Sequence, residues 1–245
     1  MPGSGRFDEG ARRDRAIVGA APPSGPGLTL VGGAPVSRST LDAALTLAPR
    51  LAAADGGADA VLAAGLAPEW VVGDMDSISD AARSTFADRL RPVAEQDSTD
   101  FAKALARSDA PWTLAVGFLG QRLDHTLACL STLAETRARC VLLGETDCLC
   151  LLPGRPVTLA LPVGSRLSLW PLAPARGRSV GLAWPVDGIA MAPDGRVGTS
   201  NRTTEPEVAL DFAGAPVALI LDAAAVPALV RALGLGPRPG AAPSL

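Results

Sequence analysis

No segment of this chain approaches the roughly 20 consecutive apolar residues that a membrane-spanning helix needs. The apolar run after Arg12-Arg13 is too short for a secretory leader, so the sequence reads as that of a cytoplasmic protein with no membrane partner. Basic runs are missing too, as is any basic stripe interleaved with aromatics. At a formal net charge of −3, nothing in the chain would capture a nucleic-acid backbone, and nucleic acid is not expected as a partner. Cysteine is scarce: Cys129, Cys140, Cys148 and Cys150 lack paired zinc-ligand spacing, and the last two alternate within an apolar run from Cys148 to Leu152. Buried, reduced thiols are expected. There is no Walker sequence, no Gly-x-Gly-x-x-Gly, no kinase-type glycine loop and no internal repeat.

What the chain does have is apolar residues, 48% over 245 positions, ample for a buried core. Residues 1–27 mix Gly, Pro, Ser and Arg without periodicity and read as a disordered extension. From Leu28, strand-like runs alternate with amphipathic stretches: Leu28 to Val31, Leu51 to Ala54, Trp70 to Val72, Arg91 to Ala94, Trp112 to Val116 and Cys140 to Leu143. Helices are expected after Ser79, from Thr99 or Asp100 with Phe101, Ala104 and Leu105 buried, and from Asp124 to about Arg137. In the last of these, Asp124 caps the start and Leu127, Leu130 and Ala134 form the apolar face. Such alternation predicts an α/β fold, a parallel sheet covered on both sides, over residues 28–152.

After Pro153 the pattern changes to short alternating strands between Gly and Pro, including Ser165 to Trp170, Glu207 to Phe212 and Val217 to Leu221. A small all-β domain is expected over residues 153–233, ending in a helix from about residue 223, with a flexible tail over 234–245.

Four polar motifs each follow a strand: Asp55-Gly-Gly-Ala58, Gly73-Asp-Met-Asp-Ser77, Gln96-Asp-Ser-Thr-Asp100 and Arg122-Leu-Asp-His125. Ligands of open α/β sheets bind at the carboxyl ends of strands, so the four motifs imply one shared polar site. Asp74 and Asp76, two positions apart, can point the same way and share a cation. Mg²⁺ suits them because it takes oxygen ligands from one or two carboxylates together with substrate phosphates. Asp97 and Asp100 bring further carboxylates to that edge. Gly56 and Gly57 permit close approach to a nucleotide, and Arg122 offers a guanidinium matched to phosphate oxygens. Each motif alone also has a plain structural reading, as a helix cap or a tight turn. Lys103, the only lysine, falls one helical turn after Asp100, where it either pairs with that carboxylate or contacts phosphate. His125, the only histidine, is expected to be a hydrogen-bonded, partly buried residue of the helix rather than a general base.

The ordered set DGGA, GDxDS, QDxTD and RxDH, followed by Gly198-Thr199-Ser200-Asn201 in the β-rich part, resembles the thiamine pyrophosphokinase family over roughly residues 28 to 221. The resemblance implies an α/β catalytic domain, a β-sandwich domain that helps bind thiamine, and a homodimer with active sites at the subunit interface. It places Asp74, Asp76 and Asp100 on Mg²⁺-binding positions, and Asp55, Gln96, Arg122 and Asp124 on or beside nucleotide and phosphate positions. Ser200 and Asn201 match the thiamine-side motif, and Trp184, or Trp170, is a candidate aromatic wall for the thiamine rings. Departures from the family pattern are Asp59, where many relatives have Asn, Gln96, where bacterial members often have Lys, and Gln121, where a glycine is usual.

The implied reaction transfers a pyrophosphoryl group from ATP to the hydroxyl of thiamine, with attack at the β-phosphorus, giving thiamine diphosphate and AMP. Asp97 or Asp100 accepts the hydroxyl proton. Two other readings are a different Mg²⁺-dependent transferase, such as a sugar transferase using Asp-x-Asp, and a non-catalytic nucleotide or thiamine sensor. The complete acidic set argues against the sensor, and the three other motifs argue against the sugar transferase.

Overall fold

A computed structural model describes residues 25–120 and 122–236. Residues 1–24 of the expected extension, Gln121, and residues 237–245 of the expected tail lie outside the described residues. In the first half β1 (Leu28–Val31), α1 (Arg38–Leu47), β2 (Arg50–Ala54), α2 (Gly57–Ala63), β3 (Val71–Gly73), α3 (Asp80–Thr85), β4 (Leu90–Pro92), α4 (Asp100–Arg107), β5 (Thr113–Val116), α5 (Leu123–Thr136) and β6 (Cys140–Leu143) alternate. Then come β7 (Asp147–Leu151), β8 (Val157–Ala160), β9 (Arg166–Pro171), β10 (Arg178–Val180), β11 (Gly198–Arg202), β12 (Glu207–Asp211), β13 (Val217–Asp222) and α6 (Val226–Ala232). The strands expected from the sequence are present, with ends displaced by a residue or two.

Strands β1, β5 and β6 are buried at every position, because helices cover both faces of the sheet. Side-chain alternation sorts their residues between two cores. Val31, Val116 and Leu143 pack on one side with Leu41 and Ala44 of α1, Val61 of α2 and Ala82 of α3. Leu28, Leu30, Ala115 and Leu142 pack on the other with Phe101 and Ala104 of α4 and Leu130 and Leu133 of α5. Three helices start on short polar caps: Ser37 accepts from the Thr40 N–H, Ser79 from Ala82, and Thr99 from Ala102.

The pairings β1 with β5, β5 with β6, β2 with β3 and β3 with β4 are parallel. From β6 the sheet continues through β7, β13, β9 and β11, all antiparallel, giving seven strands in the order β1-β5-β6-β7-β13-β9-β11. The change of strand pattern near residue 153 falls between β7 and β8. Because β13 returns to pair with β7, the large sheet takes strands from both sides of that point. A smaller antiparallel sheet, β10-β12-β8, forms a second layer, with Val157, Leu159, Val208 and Leu210 in one core with Leu167, Leu169, Val217 and Leu219. The fold is therefore α/β with a smaller antiparallel sheet packed beside it.

Helix α5 departs from expectation in detail. It starts at Leu123 with Arg122 as its cap residue, and no side chain caps it. Asp124 lies inside the first turn and pairs with Arg122 instead of capping. The buried stripe is Cys129, Leu130, Thr132 and Leu133, whereas Leu127 is 53% exposed and His125 is exposed. The physical reason is that residues 122–125 are exposed throughout, so the start of the helix has no layer to pack against. Ala134 and, in α4, Leu105 are only half-buried. All four cysteines are buried and free, as expected.

Candidate active site

Four loops leave the carboxyl ends of β1, β2, β3 and β5 and pack main chain against main chain. A Cβ on Gly57 would stand 2.1 Å from the Val31 carbonyl oxygen, and one on Gly32 2.6 Å from that of Gly117. Glycine at these positions is what lets the loops meet. Gly32-Gly33 follows β1 at the same edge and belongs to the same set of loops, though it carries none of the four polar motifs.

Asp55, the first residue after β2, is the center of the arrangement. Its backbone is left-handed, φ 40°, and its side chain is turned inward, leaving the residue 3% exposed. Oδ2 accepts the Ser77 N–H at 3.1 Å, while Oδ1 is buried with no hydrogen-bond partner among the described residues. Burial pushes the Asp55 carboxyl above the usual range, the Ser77 N–H opposes this, and the neighboring charges of Asp100 and Asp74 add to it. Gly73 permits the close approach of β3, since a Cβ there would lie 2.7 Å from the Asp55 Cβ and 3.3 Å from Asp100 Oδ1.

Asp55, Asp74 and Asp76 each offer a carboxylate oxygen within 4.8 Å of the others. Asp74 Oδ2 accepts from Gln96 Nε2 at 2.9 Å, which holds its carboxyl below the ordinary range, and Asp76 accepts from the Ser77 hydroxyl at 2.8 Å. Asp100 stands beside this trio at the start of α4. Its carboxyl is pushed up by burial and drawn down by Lys103, whose buried Nζ lies 3.3 Å away. Of the two sequence readings for Lys103, the structure contains the ion pair. The trio grouped here thus takes Asp55 in place of Asp100, which the family resemblance places on a metal-binding position.

This donor set fits a hard divalent cation. Three carboxylates this close repel one another, and an acceptor buried without a donor is costly unless a cation or an ordered water completes it. All the offered ligands are oxygens, as Mg²⁺ prefers.

The remaining expected residues are distributed around this cluster or away from it. Gly56 and Gly57 form the turn into α2. Gln96 and Asp97 are exposed on the loop before α4, where Glu95 accepts the backbone N–H groups of Asp97 and Ser98 at 2.8 and 3.1 Å. Arg122 and Asp124 pair with each other at 2.6 Å, both largely exposed. Ser200, at φ 59°, is exposed. Asn201 is buried and braces Trp184: its Nδ2 donates to the Trp184 carbonyl at 2.7 Å and its Oδ1 accepts the Trp184 N–H at 3.2 Å. The Trp184 ring is left 57% exposed, with the Arg202 guanidinium 5.5 Å from its center. A cavity of about 180 Å³ opens beside it, walled by Val186, Ile189, Met191 and Gly198. Trp170, on β9, is 36% exposed and does not line that cavity. Asp59, Arg83 and Glu95 bond to these loops without any local sequence pattern to mark them: Asp59 accepts from Ser79, Arg83 donates to the Met75 carbonyl, and Glu95 accepts from Asp97 and Ser98.

Residues 41–142 match the family model described as "Thiamin pyrophosphokinase, catalytic domain". The chain is 28% identical over 158 residues to "Thiamine pyrophosphokinase 3" of Oryza sativa subsp. japonica, an alignment covering 56% of this chain. It spans 59% of the length of that curated relative. Among solved structures, thiamin pyrophosphokinase from Geobacillus thermodenitrificans superposes with a TM-score of 0.67 at 21% identity, covering 80% of this chain and 96% of that one. The Candida albicans enzyme gives 0.67 at 16% identity over 80% and 89%, and the yeast enzyme 0.65 at 18% over 82% and 88%. Over residues 41–142 the chain is therefore similar to the thiamin pyrophosphokinase catalytic domain, and its described residues share the fold of solved thiamin pyrophosphokinases.

Proposed function

We propose that the chain is a thiamine diphosphokinase, transferring a pyrophosphoryl group from ATP to the hydroxyl of thiamine to give thiamine diphosphate and AMP. The observation that carries this is the buried, unpartnered Oδ1 of Asp55 grouped with Asp74 and Asp76, at the sheet edge of a domain matching that family. Asp55, Asp74 and Asp76 would hold Mg²⁺, with Asp100 adjoining, and the ion would supply charge neutralization to the ATP phosphates. Reactions of this kind depend on alignment and electrostatics, and no covalent nucleophile is needed. Gln96 orients Asp74 by its hydrogen bond, and the glycines of the β1 and β2 loops leave room for the nucleotide.

Of the two carboxylates considered as proton acceptor, Asp100 lies within the electrostatic reach of Asp74 and Asp76 and is held by Lys103, whereas Asp97 is exposed on the preceding loop. Asp100 is assigned that role, and Asp97→Asn is expected to leave turnover near normal. The exposed face of Trp184 and the cavity beside it offer an aromatic and apolar surface suited to a cationic thiazolium. Ser200 is assigned to the thiamine side and Asn201 to holding Trp184, within the β-rich part from residue 153 to 233. Arg122, freed from Asp124, is assigned to phosphate. The enzyme is taken to act as a cytoplasmic homodimer, and no helix among the described residues is long and apolar enough to cross a membrane.

The test incubates purified protein with thiamine, ATP and Mg²⁺ and separates the products. Thiamine diphosphate and AMP in equal amounts support the proposal. ADP with thiamine monophosphate would make the protein an ordinary kinase, and no thiamine product despite Mg²⁺-ATP binding would point to another acceptor or to a sensor.

A further inference from the structure

The loop that presents Asp74 and Asp76 does not hold its shape by local preference. Met75, between them, has φ 68°, a left-handed conformation in which the Cβ of an ordinary residue crowds the backbone. The residue is 5% exposed and its side chain packs in the core. Three contacts from outside hold the segment. The Ser77 N–H donates to Asp55. Ser79, the cap of α3, donates both its N–H and its hydroxyl to Asp59 of α2. Arg83, one turn into α3, donates from Nη2 to the carbonyl of Met75 itself. Of these hydrogen bonds, only the last acts on the residue between the two carboxylates.

We propose that Arg83 is a positioning residue for the divalent cation. By holding the Met75 carbonyl, it keeps the intervening residue left-handed and so keeps Asp74 and Asp76 converged with Asp55. The inference rests on the cation reading given above. A purely electrostatic role would have the opposite sign, because a guanidinium near the cluster repels a cation and its removal would tighten binding.

Mn²⁺ binding to the metal-free full chain, read by electron paramagnetic resonance beside thermal unfolding, separates these cases. Arg83→Met is expected to weaken Mn²⁺ about tenfold, equivalent to about 1.4 kcal/mol, with a smaller effect on melting. Arg83→Lys, which keeps a donor and the charge, recovers most of that affinity. If Arg83→Met melts far below the wild type, Arg83→Gln carries the test: a neutral donor on a shorter stem weakens Mn²⁺ if the hold on the carbonyl matters and tightens it if charge alone acts. Unchanged or tighter Mn²⁺ binding in a folded Arg83→Met or Arg83→Gln protein overturns the inference. Wild-type protein that takes up no Mn²⁺ overturns the cation reading itself, and this inference with it.

Discussion

Replacing Asp55 by Asn separates stability from function at a single atom. The backbone is not a confounding factor, because Asn tolerates the left-handed conformation at this position better than most residues do. The Asn carbonyl can keep the bond from the Ser77 N–H, while its amide group takes the place of the unpartnered Oδ1, facing the carboxylates of Asp74 and Asp76. Leaving a buried acceptor without a donor costs about 1–3 kcal/mol, and more for a charged group. Relief of that cost in a domain of this size corresponds to a melting temperature about 2–12 °C above the wild type in the absence of metal. The wild type, in turn, should gain about 2.7 kcal/mol from Mg²⁺ at a hundred times its dissociation constant, and Asp55→Asn much less. Thermal unfolding with chelator and with excess Mg²⁺, alongside thiamine diphosphate formation, reads both effects. The expected pattern is a more stable, inactive protein that no longer responds to Mg²⁺. A metal-free variant that melts below the wild type, or that keeps the full Mg²⁺ shift, would refute the reasoning.

Gly57→Ala drives a Cβ against the Val31 carbonyl and should cost about 1–3 kcal/mol in chemical denaturation; an unchanged midpoint would mean the loops can separate. Burial pushes the Cys129 and Cys148 thiols up to about 12 from 9.0, favoring the neutral form in the folded chain. That contribution is present below pH 9.0 and is lost as the pH rises above it, so native protein at about pH 8 should resist iodoacetamide until unfolded. Prompt native labeling would contradict the packing around them. Trp184→Ala removes an exposed ring and its contact with Arg202, a loss of about 0.5–1 kcal/mol at most. Its expected signature is a raised KM for thiamine with kcat little changed, and an unaltered KM would remove Trp184 from the thiamine site.

Much of the fold was legible because its signals are local. The fully buried strands β1, β5 and β6 are short apolar runs bounded by polar turns, and Ser79 and Thr99 are caps of a recognizable kind. Leu127 was misplaced because helical spacing defines a stripe without saying where the neighboring layer ends. The strand β13 carries a regular apolar pattern, yet nothing in that pattern says it enters the large sheet between β7 and β9. Such pairing depends on partners 46 to 75 positions away.

The sites of strand and helix and the acidic segments at one sheet edge follow from side-chain period and residue type within a few positions, and so are written in the local sequence. Which carboxylate takes which part is set by packing. Asp55 became buried and half unpartnered because β3 closes on β2 at Gly73, and Asp74 became the oriented one because Gln96 reaches it from 22 residues further on. The order of acidic residues along a chain carries no record of which oxygen atoms lose their water. That is set by packing between segments remote in sequence, and it is packing that turns a row of aspartates into a candidate cation site.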